Sequence, residues 1–241
     1  MSEFFKRFRD AQRPYCTALV AAAGSSARMG EGVNKLLLPL DGIPVLARTL
    51  QALEYSAVNE IVIAAREEDF LSFSDLCRTY GIHKPVKVIE GGESREESVL
   101  RAALEANEKA ELLAVQDGDR PLVTPELINT VIDKASRCMA AAPAIPIRDT
   151  IKVTTGGTVR RTLERKNLVA AQTPQVFEAA LLKAALQDAL DHHERLTDDC
   201  AAVERLGKIV YLVDGSEENL KITTPLDMAV AEAILEGRQN P

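Results

Sequence analysis

The stretch ALVAAAGSSARMGEGVNK, residues 18–35, joins an apolar run to a loop of small and charged residues. The run over residues 18–23 predicts a buried strand, and the small residues that follow let backbone amides approach a ligand closely. Such amides can bind phosphate oxygens, and Arg28 and Lys35 would add positive charge. The stretch matches neither GxxxxGK[ST] nor GxGxxG, two common phosphate-binding patterns. By itself it indicates either a phosphate loop of another kind or a solvated turn.

Short apolar runs further along the chain alternate with stretches of helical period. The runs that predict further strands are residues 61–65, 86–89, 112–115 and 209–213. The segments that predict helices or helix starts are residues 44–53, Ser94-x-x-Glu97, Thr124-Pro125 and Thr224-Pro225. The alternation predicts an α/β fold, a three-layer, Rossmann-like, mostly parallel twisted sheet with helices on both faces. Ligands of such sheets bind at the carboxyl ends of the strands.

One region breaks the alternation. Residues 150–154, 158–163 and 168–172 surround the pair Gly156-Gly157 and predict short antiparallel ribbon strands. We expect a β-arm over residues 146–172 that projects from the α/β body and serves in dimerisation. The sequence contains no repeat, low-complexity tract or linker, so we expect a single domain over residues 1–241. Residues 1–14 are expected to form an N-terminal extension, to which we assign no function.

Composition excludes several classes of function. The 241 residues carry 29 Lys and Arg against 36 Asp and Glu, a formal net charge of −7, which gives no basic field for nucleic-acid binding. The four cysteines form no CxxC pair, so neither a zinc site nor a disulfide framework is predicted. No apolar run reaches the roughly 18 residues that span a bilayer, and no signal peptide is evident. We expect a cytoplasmic protein without membrane or nucleic-acid partners.

Two further blocks place charged residues where predicted strands end. In GGESREESV, residues 91–99, open amides at a capped helix start could bind an anion, or the charges at Arg95 and Glu96 could simply face solvent. In AVQDGDRP, residues 114–121, Asp117 follows a buried strand. A carboxylate there suits Mg²⁺ beside phosphate oxygens, although aspartate at a strand end is also a common turn former.

The spacing G-x-x-x-R-M-x5-K from Gly24 to Lys35 resembles the signature of the sugar-nucleotide and alditol-phosphate nucleotidyltransferases. Within that group the chain resembles the methylerythritol-phosphate cytidylyltransferase family from about Tyr15 to Glu236. The other blocks that carry this resemblance are GGESREESV (91–99), AVQDGDRP (114–121), PIRDTIK (146–152), TLERKNLVAAQTPQ (162–175), LTDD (196–199) and ENLKITTPLD (218–227). The resemblance implies the nucleotide-diphospho-sugar transferase type of sheet.

The resemblance also implies roles for individual residues. Those expected to act in catalysis, by holding phosphates, are Arg28, Lys35 and Lys221. Those expected to bind the nucleotide are Ala22, Ala23, Gly24, Ser25, Gly92, Glu93, Arg95 and Ser98. Those expected to bind the second substrate are Asp117, Arg120, Thr150, Arg165, Thr173 and Thr197, with Asp117 also expected to bind the metal. Thr150 and Arg165, on the arm, would reach into the partner's site. From residue type alone, Thr197 is equally a helix cap and Lys221 equally a surface lysine.

Several positions depart from the family's usual residues. The family commonly has Asp where this chain has Glu93, and its usual pattern HDAARP corresponds here to residues 116–121, with Gln116 and Asp119 among the departures. The resemblance implies an enzyme of the non-mevalonate isoprenoid pathway that transfers CMP from CTP to 2-C-methyl-D-erythritol 4-phosphate, with Mg²⁺ or another divalent cation, as a homodimer. Alternatives are CTP-dependent transfer to another alditol phosphate, such as ribitol 5-phosphate, and a non-catalytic nucleotide-binding protein.

Overall fold

A central sheet of eight strands runs through the part of the chain that the computed structural model describes, which is residues 13–24, 29 and 34–239. The strands of this part are β1 (Cys16–Ala21), β2 (Pro39–Leu40), β3 (Ile43–Pro44), β4 (Glu60–Ala65), β5 (Val86–Glu90), β6 (Leu112–Asp117), β7 (Ala140–Pro146), β8 (Lys152–Thr155), β9 (Thr158–Thr162), β10 (Val169–Ala171), β11 (Gln175–Glu178) and β12 (Tyr211–Asp214). Its α-helices are α1 (Val45–Glu54), α2 (Phe70–Thr79), α3 (Arg95–Glu105), α4 (Pro125–Cys138), α5 (Ala179–Asp191), α6 (Asp199–Arg205) and α7 (Pro225–Gln239).

The sheet is built around β1. This strand pairs in parallel with β4 on one side and with β6 on the other, and β5 adds in parallel to β4. Beyond β6, β11 is antiparallel to both β6 and β7, while β10 pairs with the far end of β7. The other edge of β7 pairs in parallel with β12. Because parallel strands β1, β4, β5 and β6 end at the same edge, the loops after them meet there.

Helices cover both faces of the sheet. Along β1, alternate side chains Ala18 and Val20 join one hydrophobic cluster, while Leu19 joins the other. The first cluster contains Leu50 of α1, and the second contains Leu182 of α5. Burial on both faces explains why these strands appear in the sequence as almost continuous apolar runs. The predicted three-layer α/β architecture is confirmed. Within the described residues, no helix is long and apolar enough to cross a membrane.

The predicted helix starts are largely confirmed. Ser94 Oγ accepts from the backbone N–H of Glu97 at 3.1 Å, and Thr124 Oγ1 accepts from that of Leu127 at 3.2 Å. At the start of α7 the acceptor is an aspartate inside the helix and not the threonine that precedes it. The Asp227 carboxylate accepts both backbone N–H groups of Thr223 and Thr224, and the Thr224 hydroxyl donates to it. In each case a side chain satisfies donors that the first helical turn leaves open.

The arm differs from its prediction in one strand. Strands β8 and β9 form the predicted antiparallel ribbon around Gly156-Gly157, and both glycines have positive φ, as the turn requires. Assigning residues 168–172 to that ribbon was wrong, because β10 pairs with β7 of the main sheet. An alternating pattern indicates a strand but not its partner. The dimerisation role of the arm stays a prediction, as does the single-domain assignment. Most of the expected N-terminal extension lies outside the described residues.

Two glycines allow the loops at the ligand-binding edge to pack closely. A Cβ on Gly91 would lie 2.6 Å from Ala23 Cβ and 3.0 Å from Ser98 Oγ. A Cβ on Gly118 would lie 3.2 Å from both the Ala21 carbonyl oxygen and Leu46 Cδ1. The loops that follow β5 and β6 therefore touch the end of β1 and the loop after it. This packing brings together the blocks that are far apart in sequence.

Candidate active site

A cleft of about 520 Å³ opens at the carboxyl ends of β1, β5 and β6. Its volume is within the range of small-molecule sites. The described residues that line it are 21–24, 35–36, 92–95, 98, 117, 119, 221 and 223. The blocks 18–35, 91–99, 114–121 and 218–227 thus all contribute residues to the cleft. Ser25 and Arg28, predicted to bind nucleotide and phosphate, lie outside the described residues.

Asp117, the last residue of β6, is the centre of the charge network in the cleft. Its Oδ2 accepts from Lys221 Nζ at 3.0 Å and from Arg120 Nε at 3.3 Å, and its Oδ1 lies 3.4 Å from an Arg95 guanidinium nitrogen. The carboxylate is only 6% exposed. Asp117 therefore pairs with charged groups of the cleft in addition to ending a strand, and Lys221 belongs to the cleft and not to the open surface. The side chain joins basic groups from three separate segments of the chain.

The three basic neighbours determine the protonation state of Asp117. Burial on its own raises the pKa of this carboxyl, but Lys221, Arg95 and Arg120 outweigh that effect and lower the pKa to about 2. Asp117 is therefore ionised at neutral pH. An ionised, buried carboxylate holds its cations in fixed positions, and this fixed charge is what an electrostatic site requires.

Lys35 meets a second carboxylate in the same cleft. It opens a short 3₁₀ helix, Lys35–Leu37, which Asn34 caps by accepting from the Leu36 N–H at 3.0 Å. The Lys35 ammonium lies 2.5 Å from Asp119 Oδ2 and donates to the Ile222 carbonyl at 2.9 Å. The Ile222 N–H in turn donates to the Asp119 carbonyl at 2.8 Å. Segments 35–37, 117–120 and 221–223 are thereby bonded to one another.

Arg95 is anchored from its other side by Asp199, at the start of α6. The two groups lie 2.7 Å apart, and Asp199 is almost fully buried. Burial of Arg95 opposes its charge, but Asp199 and Asp117 together raise the pKa of Arg95 above its usual value. Burial raises the pKa of Asp199, and Arg95 counteracts that rise. Arg95 is thus a structured part of the cleft rather than a solvent-facing charge.

The turn LTDD is tied to this network by Glu96 and Gln175. Glu96 accepts from the Leu196 N–H at 2.6 Å, and Gln175 Oε1 accepts from the Asp199 N–H at 3.0 Å. Burial raises the pKa of Glu96, but backbone N–H donors, including that of Leu196, outweigh this and lower it. The side chain that caps α6 is Asp198, which accepts from the Ala201 N–H at 3.0 Å. Thr197 is therefore not the cap.

Internal hydrogen bonds hold the segment after β5. The Gly92 N–H donates to Ser98 Oγ at 2.9 Å, and the Glu93 N–H donates to Glu97 Oε2 at 2.8 Å. The Ser98 hydroxyl donates to the Ser94 carbonyl at 2.8 Å. The expectation that open amides here could bind an anion is wrong for Gly92 and Glu93, because both already have acceptors. The basic group that this segment contributes to the cleft lining beside these bonded amides is the Arg95 side chain.

The remaining predicted residues lie away from the cleft lining. Thr173 is buried, and its hydroxyl accepts from the Asp117 N–H at 3.1 Å, so it positions the end of β6. Arg120 is also buried and donates to the Asn219 carbonyl at 2.7 Å. Those that lie exposed outside the cleft lining are Thr150, Arg165 and Thr197. The Arg165 guanidinium donates to the Arg148 carbonyl at 2.6 Å within the arm.

Several network residues were missed by the sequence predictions. Asp199 and Gln175 belong to the blocks LTDD and QTPQ, but residue type gave no indication that they would meet Arg95 and the LTDD turn. Gln116, one of the departures from the family pattern, is buried and donates to the Asp117 carbonyl at 3.0 Å. Its own side-chain oxygen has no hydrogen-bond partner within the described structure. These contacts depend on three-dimensional packing, which spacing does not reveal.

A three-layer α/β fold with a small-residue loop after β1 and lysines gathered over the strand ends is typical of nucleotide-binding proteins. Residues 16–237 match the family model of 2-C-methyl-D-erythritol 4-phosphate cytidylyltransferase, and the chain belongs to this family. The predicted family, fold and enzyme class are confirmed.

Individual relatives align with nearly the whole length of this chain. The enzyme of that name from Bacillus licheniformis is 39% identical over 222 residues, which is 92% of this chain and 96% of the relative. The one from Bacillus cytotoxicus is 42% identical over 220 residues, covering 91% and 97%. Among solved structures, 4-diphosphocytidyl-2C-methyl-D-erythritol synthase from Anaerococcus prevotii has a TM-score of 0.82 at 27% identity, covering 92% and 99%. The cytidylyltransferase from Thermus thermophilus has a TM-score of 0.74 at 30% identity, with the same coverage.

Replacing Asp117 with Asn should destabilise the fold as well as the site, because three buried or half-buried cations lose their shared counterion. We expect the free energy of unfolding at pH 7 to fall by about 3 kcal/mol, measured by urea denaturation. Asp75→Asn, which breaks an exposed pair with Arg78, should cost no more than about 0.5 kcal/mol.

The same network predicts how stability depends on pH. Since the pKa of Asp117 is lowered from 3.8 to about 2 in the folded chain, its contribution is complete above about pH 5 and is lost progressively as the pH falls towards about 1. The stability difference between the wild-type chain and Asp117→Asn should therefore shrink over that interval. Equal stability of the two proteins at pH 7 would contradict the proposed network.

Proposed function

We propose that the cleft binds CTP and that the chain transfers CMP to 2-C-methyl-D-erythritol 4-phosphate, giving 4-diphosphocytidyl-2-C-methyl-D-erythritol and pyrophosphate. Family membership supplies the reaction. The observation that supports its location is the convergence of Lys35, Lys221 and Arg95 on one cleft beside the small-residue loop after β1. Two lysines and an arginine at a strand-end cleft suit a polyanionic ligand, and the lining carboxylates of Glu93, Asp117 and Asp119 balance these charges.

The chemistry requires no general base from the protein. A phosphomonoester has a second pKa of about 6, so it is mostly a dianion at neutral pH and is already a nucleophile. None of His83, His192 and His193 lines the described cleft, and all three are exposed. In the displacement, an oxygen of the acceptor phosphate forms a bond to the α-phosphorus of CTP. The bond from that phosphorus to the oxygen bridging to the β-phosphate breaks, and pyrophosphate leaves with the electron pair.

The protein's contribution is then mainly electrostatic. Two anions must approach each other, and charge develops on the leaving pyrophosphate. Lys35 and Lys221 are proposed to hold the triphosphate, with Arg28 as a third cation contributed by the loop after β1. Asp117 pairs with Lys221, and the Ile222 carbonyl accepts from Lys35, so both lysines have partners in the cleft before the nucleotide arrives. Because the charges are fixed in advance, little reorganisation is needed at the moment of reaction.

The base is proposed to bind between two adjoining backbone segments. Gly91 packs against Ala23, so the loop after β1 and the segment 92–98 form adjoining walls of the cleft. Backbone groups of Ala22 and Ala23 would contact one edge of cytosine, and the segment Gly92 to Ser98 the other. Discrimination by fixed backbone groups is effective, because a wrong base leaves them unpaired.

We propose that a magnesium ion binds in this site together with the nucleotide, which would carry most of its ligands. Among residues 13–24, 29 and 34–239, no group of three or more His, Cys, Asp or Glu side chains is suited to a metal ion. Mg²⁺ commonly takes one or two carboxylates, with phosphate oxygens and water completing its shell. We propose that Asp117 supplies the carboxylate. Bound in this way, the ion would neutralise charge on the triphosphate and the leaving pyrophosphate.

The acceptor site is proposed to be shared between two subunits. Arg165 and Thr150 lie on the exposed arm and do not line the cleft of their own chain. An exposed arm that carries a phosphate-binding arginine fits a homodimer in which each arm reaches the partner's cleft. Thr173 and Arg120, from the same chain as the cleft, then fix the loop against which the acceptor binds. A cytoplasmic location also stays a prediction.

Acceptor specificity tests the reaction directly. We expect pyrophosphate release from CTP and Mg²⁺ with 2-C-methyl-D-erythritol 4-phosphate, and much slower release with ribitol 5-phosphate or sugar phosphates. Lys35→Ala should lower kcat by a factor of about 100 or more, because a fixed charge stabiliser is lost. Lys208→Ala, an exposed lysine outside the cleft, is the matched control. Release with ribitol 5-phosphate alone would reassign the acceptor, and no release with any acceptor would contradict the function.

The shared site predicts complementation. Arg165→Ala should raise the KM for the acceptor about 10-fold, since a charge-assisted contact to its phosphate is lost, while Arg160→Ala on the same arm should not. A heterodimer of Arg165→Ala with Lys35→Ala contains one cleft with Lys35 intact and Arg165 supplied by its neighbour. At acceptor concentrations well below the wild-type KM, its activity should exceed that of either parent. Verified heterodimers with no recovery would show that Arg165 acts within its own chain.

A further inference from the structure

Asp119 places a negative charge in the part of the cleft that the proposed function assigns to the triphosphate. It is only 7% exposed and lines the cleft. The family's usual pattern, HDAARP, has alanine at this position, where this chain has Asp119. Neither the family's residues nor the proposed transfer reaction requires a carboxylate here.

Both lysines proposed to hold phosphates converge on this carboxylate. Lys35 Nζ lies 2.5 Å from Asp119 Oδ2, and Lys221 Nζ lies 3.9 Å from Asp119 Oδ1. Asp119 Oδ1 is buried and has no hydrogen-bond partner within the described structure. The two lysine ammonium groups lie around this carboxylate as they would lie around a bound phosphate group. The carboxylate thus occupies the electrostatic position of a ligand phosphate.

We propose that Asp119 is an internal counterion that competes with the nucleotide and with pyrophosphate for Lys35 and Lys221. This inference rests on the proposed function for the location of the phosphates. A polyanion that enters the cleft must separate or share the Lys35–Asp119 ion pair, and it meets a like charge in a low-dielectric site. Asp119 therefore weakens the binding of both CTP and pyrophosphate. Weaker binding of pyrophosphate favours release of this product.

Lys35 keeps its place when the competing charge is removed. Its ammonium also donates to the Ile222 carbonyl, and the backbone bond between Ile222 and Asp119 does not depend on the Asp119 side chain. Asp119→Asn retains the shape of the side chain and removes only the charge. Asp119→Ala introduces the family's residue, and Asp119→Glu restores a carboxylate. Comparing these three variants separates the effect of the charge on binding from the effect of the side chain's shape.

The test is titration calorimetry of pyrophosphate and of CTP in EDTA, without divalent cations. Asp119→Asn and Asp119→Ala should each bind pyrophosphate about 10-fold more tightly than the wild-type chain, while Asp119→Glu should remain weak. Asp75→Asn changes the net charge by the same amount as Asp119→Asn, but at an exposed residue outside the cleft lining, and should leave the affinity for pyrophosphate unchanged. The kinetic counterpart is stronger product inhibition by pyrophosphate in the two neutral variants.

Equal or weaker binding by the neutral variants, including no binding by any of the proteins, would overturn the proposal. A loss of CTP affinity that is seen only with Mg²⁺ would also overturn it and would make Asp119 a metal ligand instead. The proposed function is judged separately, by pyrophosphate release from the wild-type chain with its acceptor. Thermal unfolding of each variant checks that the compared proteins are folded.

Discussion

The structure of the cleft depends on the ionised carboxylate of Asp117. Lys221, Arg95 and Arg120 come from separate segments of the chain, and without a shared counterion they would repel one another at the end of β6. Burial of Asp117 strengthens each attraction, because the dielectric screening of water is reduced. The cost of burying the carboxylate is offset by having three partners rather than one. Several basic side chains can therefore be gathered at one cleft in a protein that is acidic as a whole.

The fold places this carboxylate where it can act. Asp117 ends a strand that lies beside β1 in the centre of the sheet, so its position is fixed by the parallel pairs β1–β6 and β1–β4. Close packing at Gly91 and Gly118 then brings the neighbouring loops together around it. The hydrophobic layers pack on both faces of the sheet and fix the strands. The strands position the loops that follow them, and these loops carry the charged residues. Each level restricts the freedom of the next, which is how an electrostatic site becomes organised before substrate binds.

Much of this arrangement could be predicted from sequence, and the exceptions have physical reasons. Apolar runs gave β1, β4, β5 and β6, and the ordered blocks gave Lys35, Asp117 and Lys221. Strand β7 was missed, because AAAPAIP is rich in residues that disfavour strands and becomes one only between β11 and β12. The partner of β10 was assigned wrongly, because alternation is a local property. The pairing of Lys35 with Asp119, 84 positions apart in the numbering, depends on the tertiary fold.

A crystal structure of the chain with CTP tests the account most directly, because the central claim is that one preorganised charge network receives the triphosphate. The account predicts phosphate oxygens within hydrogen-bonding distance of Lys35 and Lys221, cytosine between the loop after β1 and the segment 92–98, and Asp117 still paired with Arg95 and Arg120. Movement of Lys35 from Asp119 towards the triphosphate should accompany binding. A triphosphate bound elsewhere, or Lys35 and Lys221 without contact to any phosphate, would contradict the claim.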